Sequence, residues 1–215
     1  MQKLWIQECL ETHEECIPLS TEPFLPTRLL EVQNYPSLRL VNTSNLDTED
    51  SRYTALSYCW GHSMPVDGKT SSNTLDSHQR EVVLTKLPRT LRDAIEVTVS
   101  WSRPYIWIDA LCIIQGDALD WHQESGAMAL VYSHATAMIA AAASDHCDGG
   151  FLLNSLSEHD RSAISLPTPL DPLQGEGWIP EFFQTPLFKR GWTLQERELS
   201  TRVVYFTTSQ VIFEC

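Results

Sequence analysis

Basic residues are scarce in this chain, and their scarcity argues against several classes of protein. The 215 residues include 15 lysines and arginines against 28 aspartates and glutamates, which gives a formal net charge of −13. Binding to a phosphate backbone depends on clustered Lys and Arg, so we expect no nucleic-acid partner. The same negative field would repel anionic membranes and anionic small ligands at long range, so any phosphate site must be built locally.

Long hydrophobic runs are missing as well. The N-terminal segment is interrupted by Glu8, Glu11, Glu14 and Glu15, so it lacks the apolar core of a signal peptide. No later stretch reaches the ~20 apolar residues that span a bilayer. We therefore expect a cytoplasmic protein with no membrane span, whose six cysteines are reduced thiols.

Several common catalytic motifs are also absent. Ser57 does not stand in a G-x-S-x-G sequence, and no Walker A loop occurs. The lone G-x-G at 175–177 lies in a proline-rich stretch rather than after a strand, so it is no dinucleotide fingerprint. These absences argue against an α/β-hydrolase, a P-loop NTPase and a Rossmann enzyme.

What is present in the middle of the chain is an alternation of short apolar segments and helical patterns. The predicted strands are 53–58, 105–111 and 136–144, and the predicted helices between them are 88–101 and 120–134. Alternation of this kind predicts a parallel sheet covered by helices. Asp117 and Asp120 are candidate caps for the second helix.

Further along, a short helix is predicted around 192–199, followed by two strands at 201–206 and 210–215. These strands are too close in sequence for a parallel crossover, so they form a hairpin. The predicted fold class is α/β, with a mostly parallel sheet flanked by helices and an antiparallel C-terminal hairpin. We expect residues 62–79 to be a loop, 80–85 a short strand and 145–187 irregular.

The N-terminal segment predicts a short helix over 3–16, and a proline-rich connector follows it. Cys9, His13 and Cys16 share one face of this helix and could be three zinc ligands. No fourth ligand is evident, so packing of that face on the core is the favoured interpretation, and no metal site is predicted. We expect residues 1–36 to be a lead-in that packs on a single α/β domain at 37–215.

Candidate ligand-binding residues follow the predicted strands, where open α/β sheets bind ligands. Tyr58, Trp60 and Gly61 come directly after the first strand; Trp60 offers a stacking face and Gly61 lets the backbone approach a ligand closely. The alternative for Trp60 is packing under the sheet edge. Asp109 ends the next strand and needs a partner or water. Arg190, at the start of a helix, is the candidate for binding phosphate.

Three segments carry a family resemblance. YTALSYCWG (53–61), WIDALCIIQGDALDW (107–121) with its continuation, and RGWTLQERELS (190–200) with its continuation resemble, in that order, the blocks of the fungal heterokaryon incompatibility (HET) domain. The resemblance implies an effector of programmed cell death in nonself recognition. It also implies activation by a sensor module, such as a sensor protein of the NLR type.

A weaker resemblance links the chain to TIR domains, which have a flavodoxin-like fold and include NAD-cleaving members. Their catalytic Glu stands four residues after a Trp on a helix, and Trp192 and Glu196 have that spacing. Glu196 is therefore the candidate catalytic residue, and Trp192 is a candidate to stack on the cationic nicotinamide. The resemblance implies NAD as a possible substrate, with no firm cofactor. Two alternatives stay open: Glu196 pairs with Arg190, Arg197 or Arg202 beside a core Trp192, or the domain signals without catalysis through self-association.

Overall fold

The computed structural model describes residues 2–20, 22–47, 51–152, 163–165, 185–189, 193–208 and 210–215. Its strands are β1 (Arg28–Glu31), β2 (Arg39–Asn42), β3 (Tyr53–Ser57), β4 (Tyr105–Trp107), β5 (Met138–Ala140), β6 (Ala163–Ser165), β7 (Val203–Phe206) and β8 (Val211–Glu214). Its helices are α1 (Gln2–Thr12), α2 (Leu75–Arg80), α3 (Arg89–Ser100), α4 (Asp109–Cys112), α5 (Ala118–His134) and α6 (Thr193–Leu199).

The described strands form one sheet in the order β2-β1-β4-β3-β5-β7-β8-β6. The central strands β4, β3, β5 and β7 are all parallel, whereas β7 and β8 form an antiparallel hairpin and β1 is antiparallel to both β2 and β4. The predicted fold class is therefore confirmed. Along the parallel centre the chain starts at β3, adds β4 on one side and then β5 and β7 on the other, which is the strand order of flavodoxin-like sheets.

Side chains alternate between the two faces of the sheet and build a core on each. Leu56, Ile106 and Ile139 face a layer formed by α1 and α3. Ala55, Trp107 and Met138 face the opposite layer, formed by α5 and by Leu187 ahead of α6. Every residue of β3, β4 and β5 is buried, as expected for strands covered on both faces.

Local signals explain where the main helices start. Pro88 precedes α3, where its fixed φ suits a helix start, and Asp117 accepts hydrogen bonds from the backbone N–H groups of Leu119 and Asp120 to cap α5. The cap predicted for Asp117 is therefore confirmed, and the one predicted for Asp120 is wrong. The Asp120 carboxylate instead accepts hydrogen bonds from Arg28 and from the backbone of Ile114.

Several predicted elements differ in the structure. The predicted loop at 62–79 contains α2, and the strand predicted at 80–85 is reduced to one bridge between Val82 and Leu38. The predicted irregular region 145–187 contributes β6. The strand expected over 105–111 ends at Trp107, and Asp109 begins α4 instead of ending the strand.

The N-terminal helix is shorter than predicted, since α1 ends at Thr12. Its buried residues are Ile6 and Cys9. The proline-rich lead-in also contributes β1, which pairs with β2 and β4 inside the sheet. No helix in the described segments has both the length and the apolar character that crossing a bilayer requires.

Candidate functional site

A pocket of about 560 Å³ opens at the carboxyl end of the parallel strands. Residues that follow different strands line it: Cys59, Trp60 and Gly61 after β3, Asp109 after β4, Asp145 after β5, and Pro186 and Lys189 ahead of α6. The pocket lies where the strand order reverses around β3, the position at which open α/β sheets bind ligands. Its volume is within the range of about 300–1,000 Å³ that small-molecule sites occupy.

Trp60 and Asp109 join the first two of these loops. The Trp60 indole Nε1 donates a hydrogen bond of 3.0 Å to Asp109 Oδ2. The other carboxylate oxygen of Asp109 accepts a bond of 2.6 Å from the backbone N–H of Ala110 at the start of α4. Because both oxygens are held, the carboxylate fixes the orientation of the half-buried indole at the pocket wall.

Gly61 explains how the loops after β3 and β5 come so close together. Its φ is +76°, a conformation that favours glycine, and a Cβ at this position would lie 2.6 Å from the Cβ of His146. Any larger residue would push the two loops apart. Glycine is therefore required here by the contact between the loops, whether or not a ligand also approaches.

The charged groups around the pocket have both signs. Asp145 is exposed and accepts a hydrogen bond of 2.7 Å from His146 Nδ1, and this bond holds the pKa of the Asp145 carboxyl below its usual value. Lys189 is exposed on the turn before α6. The carboxylates of Asp109 and Asp145 and the ammonium of Lys189 thus offer contacts for a ligand that carries both a cationic and an anionic part.

Glu196 lies on α6 and is only 4% exposed. Its Oε2 accepts a hydrogen bond from Ser57 Oγ, and Ser57 is the last residue of β3. The carboxylate is therefore held at the strand end that leads directly to Cys59 and Trp60, although Glu196 is not among the described residues that line the pocket.

Two of the arginines considered as partners of Glu196 bind elsewhere. Arg197 forms a bidentate pair with Glu214, and Arg202 donates to Cys9 Sγ and to the backbone carbonyl of Cys16. Among the described residues, the Glu196 carboxylate is hydrogen-bonded to a neutral hydroxyl, that of Ser57. Arg190, the third arginine, lies outside the described residues.

The predicted ligand-binding residues are only partly brought together. Trp60, Gly61 and Asp109 line one pocket, whereas Tyr58 is 1% exposed and packs in the core on the α3 side of the sheet. Trp192, like Arg190, lies outside the described residues.

Sequence reasoning missed Asp145 and Lys189. Asp145 follows β5 much as Asp109 follows β4, so the rule that identified Asp109 could have found it. Lys189 carries no comparable signal, because the fold brings its turn to the pocket from a distant part of the chain.

Comparison with known proteins gives one match. The model of a family described as "Heterokaryon incompatibility protein (HET)" matches residues 53–196, more than half of the chain. The matched range runs from the first residue of β3 to Glu196 and includes all the described residues that line the pocket. No curated protein and no solved structure matches the chain.

Proposed function

Because the chain belongs to the heterokaryon incompatibility (HET) family, we propose that it is an effector of fungal nonself recognition that triggers programmed cell death by cleaving NAD. The observation that carries this proposal is the pocket at the reversal of the strand order. It combines an oriented indole, two carboxylates and a lysine, and the buried carboxylate of Glu196 is anchored at the same strand end.

The pocket groups suit the two ends of NAD. The nicotinamide ring is cationic, and the Trp60 face together with Asp109 and Asp145 would favour a cationic ring. Lys189 would attract the diphosphate as a local positive charge in a chain that is negative overall. The distant resemblance to TIR domains supports the same substrate, because Trp192 and Glu196 have the spacing of that family's Trp and catalytic Glu.

Hydrolysis of NAD breaks the bond between the ribose C1′ and the nicotinamide nitrogen. The bonding electron pair leaves with nicotinamide, C1′ develops oxocarbenium character, and water adds to C1′ and releases a proton. We assign Glu196 the task of holding the ribose hydroxyls and stabilising the positive charge. Ser57 would orient the carboxylate through Oε2, so Oε1 is assigned to the ribose.

The burial of Glu196 sets a condition on this mechanism. Glu196 is only 4% exposed. To contact its carboxylate, the ribose must reach past the described pocket lining to the side of Ser57. The same burial favours a second candidate function, a death-signalling module without catalysis that acts through self-association or with a sensor protein of the NLR type. In that case the Ser57–Glu196 bond would serve only to hold α6 on the sheet.

Incubation of the purified protein with NAD, over a series of protein concentrations, separates the two functions. We expect nicotinamide and ADP-ribose to form in equal amounts. Glu196→Gln keeps a side chain of similar shape, and we expect it to lower the rate about 100-fold or more. Glu198→Gln is the matched control, because Glu198 lies on the same helix with its side chain 65% exposed. Product release that Glu196→Gln leaves unchanged would reject the assignment of Glu196.

A further inference from the structure

Three cysteines and a histidine meet at the edge of the sheet opposite the pocket. Cys9 on α1, His13 and Cys16 just after this helix, and Cys215 after β8 each offer one ligand atom, and these four atoms lie within 4.8 Å of one another. His13 Nδ1 is 3.3 Å from Cys215 Sγ and 4.0 Å from Cys16 Sγ. The N-terminal residues alone provide three such groups, and Cys215, separated by 202 positions from His13, provides the fourth.

We propose that Cys9, His13, Cys16 and Cys215 bind one Zn²⁺ in a closed tetrahedral site that fastens the N-terminal segment to the last strand. Three cysteines and one histidine are a known ligand set of structural zinc sites. Zn–S bonds of ~2.3 Å and Zn–N bonds of ~2.0 Å in a tetrahedron separate a sulfur from the nitrogen by about 3.5 Å and two sulfurs by about 3.8 Å. The distances of 3.3 and 4.0 Å from His13 Nδ1 lie on either side of the sulfur–nitrogen value, and all four ligand atoms lie within 4.8 Å of one another, so side-chain movements of about 1 Å would complete the site.

The surroundings of the cluster suit this role. Zn²⁺ bound by three thiolates and a neutral imidazole has a net charge of −1, and Arg202 supplies a nearby positive charge. Its Nε donates a bond of 3.1 Å to Cys9 Sγ, and its terminal nitrogen donates a bond of 2.9 Å to the backbone carbonyl of Cys16. Hydrogen bonds from outside a metal site to its ligands commonly orient them.

The location points to a structural metal. Glu214 pairs with Val203, the first residue of β7, so Cys215 lies at the amino edge of the parallel strands and the pocket lies at the carboxyl edge. At this edge α1 also packs on the sheet through Ile6 and Cys9, and Trp5 stacks on Phe213 of β8 with ring centroids 6.0 Å apart. A metal here would join the two ends of the described chain, which otherwise depend on these contacts.

The first test measures bound zinc in the full chain, purified under reducing conditions with zinc supplied. We expect about one Zn²⁺ per chain in the wild type, and a loss of most of it in Cys16→Ser and Cys215→Ser. Cys147→Ser is the matched control, because Cys147 lies outside the cluster and its Sγ donates to the Ser63 carbonyl, a bond that a serine can keep. We expect this variant to keep its zinc.

A second measurement needs no variant and so is independent of any folding defect. Co²⁺ added to the zinc-free wild type should give the visible bands of tetrahedral cobalt and a thiolate charge-transfer band, and Zn²⁺ should abolish both. Removal of zinc by a chelator should lower Tm by roughly 5 °C or more in the wild type. The shift should be smaller in His13→Gln, which alters an exposed ligand.

Two results would overturn the proposal. One is a reduced, folded wild type with neither bound zinc nor a thiolate–cobalt band. The other is a disulfide between two of the cluster cysteines in freshly isolated protein that contains no zinc, detected by mass spectrometry without reduction.

Discussion

At the residue scale, the pocket depends on a few polar contacts between strand ends. The bond from Trp60 to Asp109 joins the loops after β3 and β4, and Gly61 lets the loop after β5 pack closely against them. Trp60, Gly61 and Asp109 could be predicted from the sequence because each follows an apolar run, and parallel strands bring such positions to one edge. Tyr58 has the same sequence signal, but it is fully buried in the core on the α3 side of the sheet.

Substitutions of Trp60 test whether the indole contacts the ligand. Trp60→Phe keeps an aromatic face but loses the N–H that bonds Asp109, and we expect it to weaken NAD binding about 5–10-fold. Trp60→Leu also removes the aromatic face and should weaken binding by about another factor of ten. Titration calorimetry with NAD measures both. Equal affinities in the wild type and Trp60→Leu would show that the indole is only a packing residue.

Ser57→Ala tests the bond to Glu196. Its removal leaves a buried carboxylate oxygen without its donor, so we expect the free energy of unfolding to fall by about 1–3 kcal/mol. Urea denaturation measures the change. The control is Ser77→Ala, at an exposed serine on α2, which should change stability by less than about 0.5 kcal/mol. Similar values for the two variants would mean that the Ser57 bond contributes little.

His78 predicts a pH dependence of stability. Burial lowers the pKa of this imidazole, whose Nδ1 lies 2.9 Å from Thr70 Oγ1. The unfolded chain therefore binds a proton more readily than the folded one, and stability falls as the pH drops below about 6.5, the usual pKa of histidine. We expect His78→Gln to reduce this loss between pH 7 and pH 5 in urea denaturation. If the free energy of unfolding fell equally with pH in the wild type and in His78→Gln, His78 would be excluded as the source of the pH dependence.

At the scale of elements, α6 is held on the sheet by a charged contact. Arg197 donates hydrogen bonds to both carboxylate oxygens of Glu214 on β8, and the Tyr205 hydroxyl of β7 donates to the same carboxylate. Burial would raise the pKa of Glu214, but the hydrogen bonds from Arg197 and Tyr205 outweigh it and lower that pKa. This contact positions α6, the helix that carries Glu196 directly before Arg197.

Glu214→Gln should therefore weaken the attachment of α6. The arginine is largely buried and would keep only its pair of 3.7 Å with the exposed Glu198, so we expect a destabilisation of about 1–3 kcal/mol, since the pair with Glu214 is partly exposed to solvent. Thermal unfolding measures it, and Glu96→Gln at an exposed position of α3 is the control. A loss of stability in Glu214→Gln no larger than that in the control would show that the Arg197–Glu214 pair does not hold α6 on the sheet.

The elements that sequence reasoning identified are those with a strong local signal. β3, β5 and the β7–β8 hairpin are apolar runs between polar turns, and α3 has an apolar stripe that begins after Pro88. β1 has no such signal: it lies in a proline-rich stretch and becomes a strand by pairing with β2 and β4. The meeting of Cys215 with the N-terminal ligands is likewise a long-range event that local pattern does not show.

At the scale of the whole molecule, we propose different roles for the two edges of the sheet. The carboxyl edge carries the pocket and Glu196, and we assign it the chemistry of the effector. The amino edge carries the proposed zinc cluster, which would hold the N-terminal segment in place. Substitution of a ligand in the zinc cluster should lower the free energy of unfolding of the whole domain. Substitution of Glu196 should abolish activity in a protein that still folds.

Expression of the chain in a filamentous fungal host, with viability and cellular NAD followed together, tests the central claim most directly. We predict that the wild type and Glu198→Gln deplete NAD and kill the host, whereas Glu196→Gln, at an equal protein level, does neither. Killing by Glu196→Gln as fast as by the wild type, with NAD unchanged in both, would contradict the account and leave self-association as the mechanism.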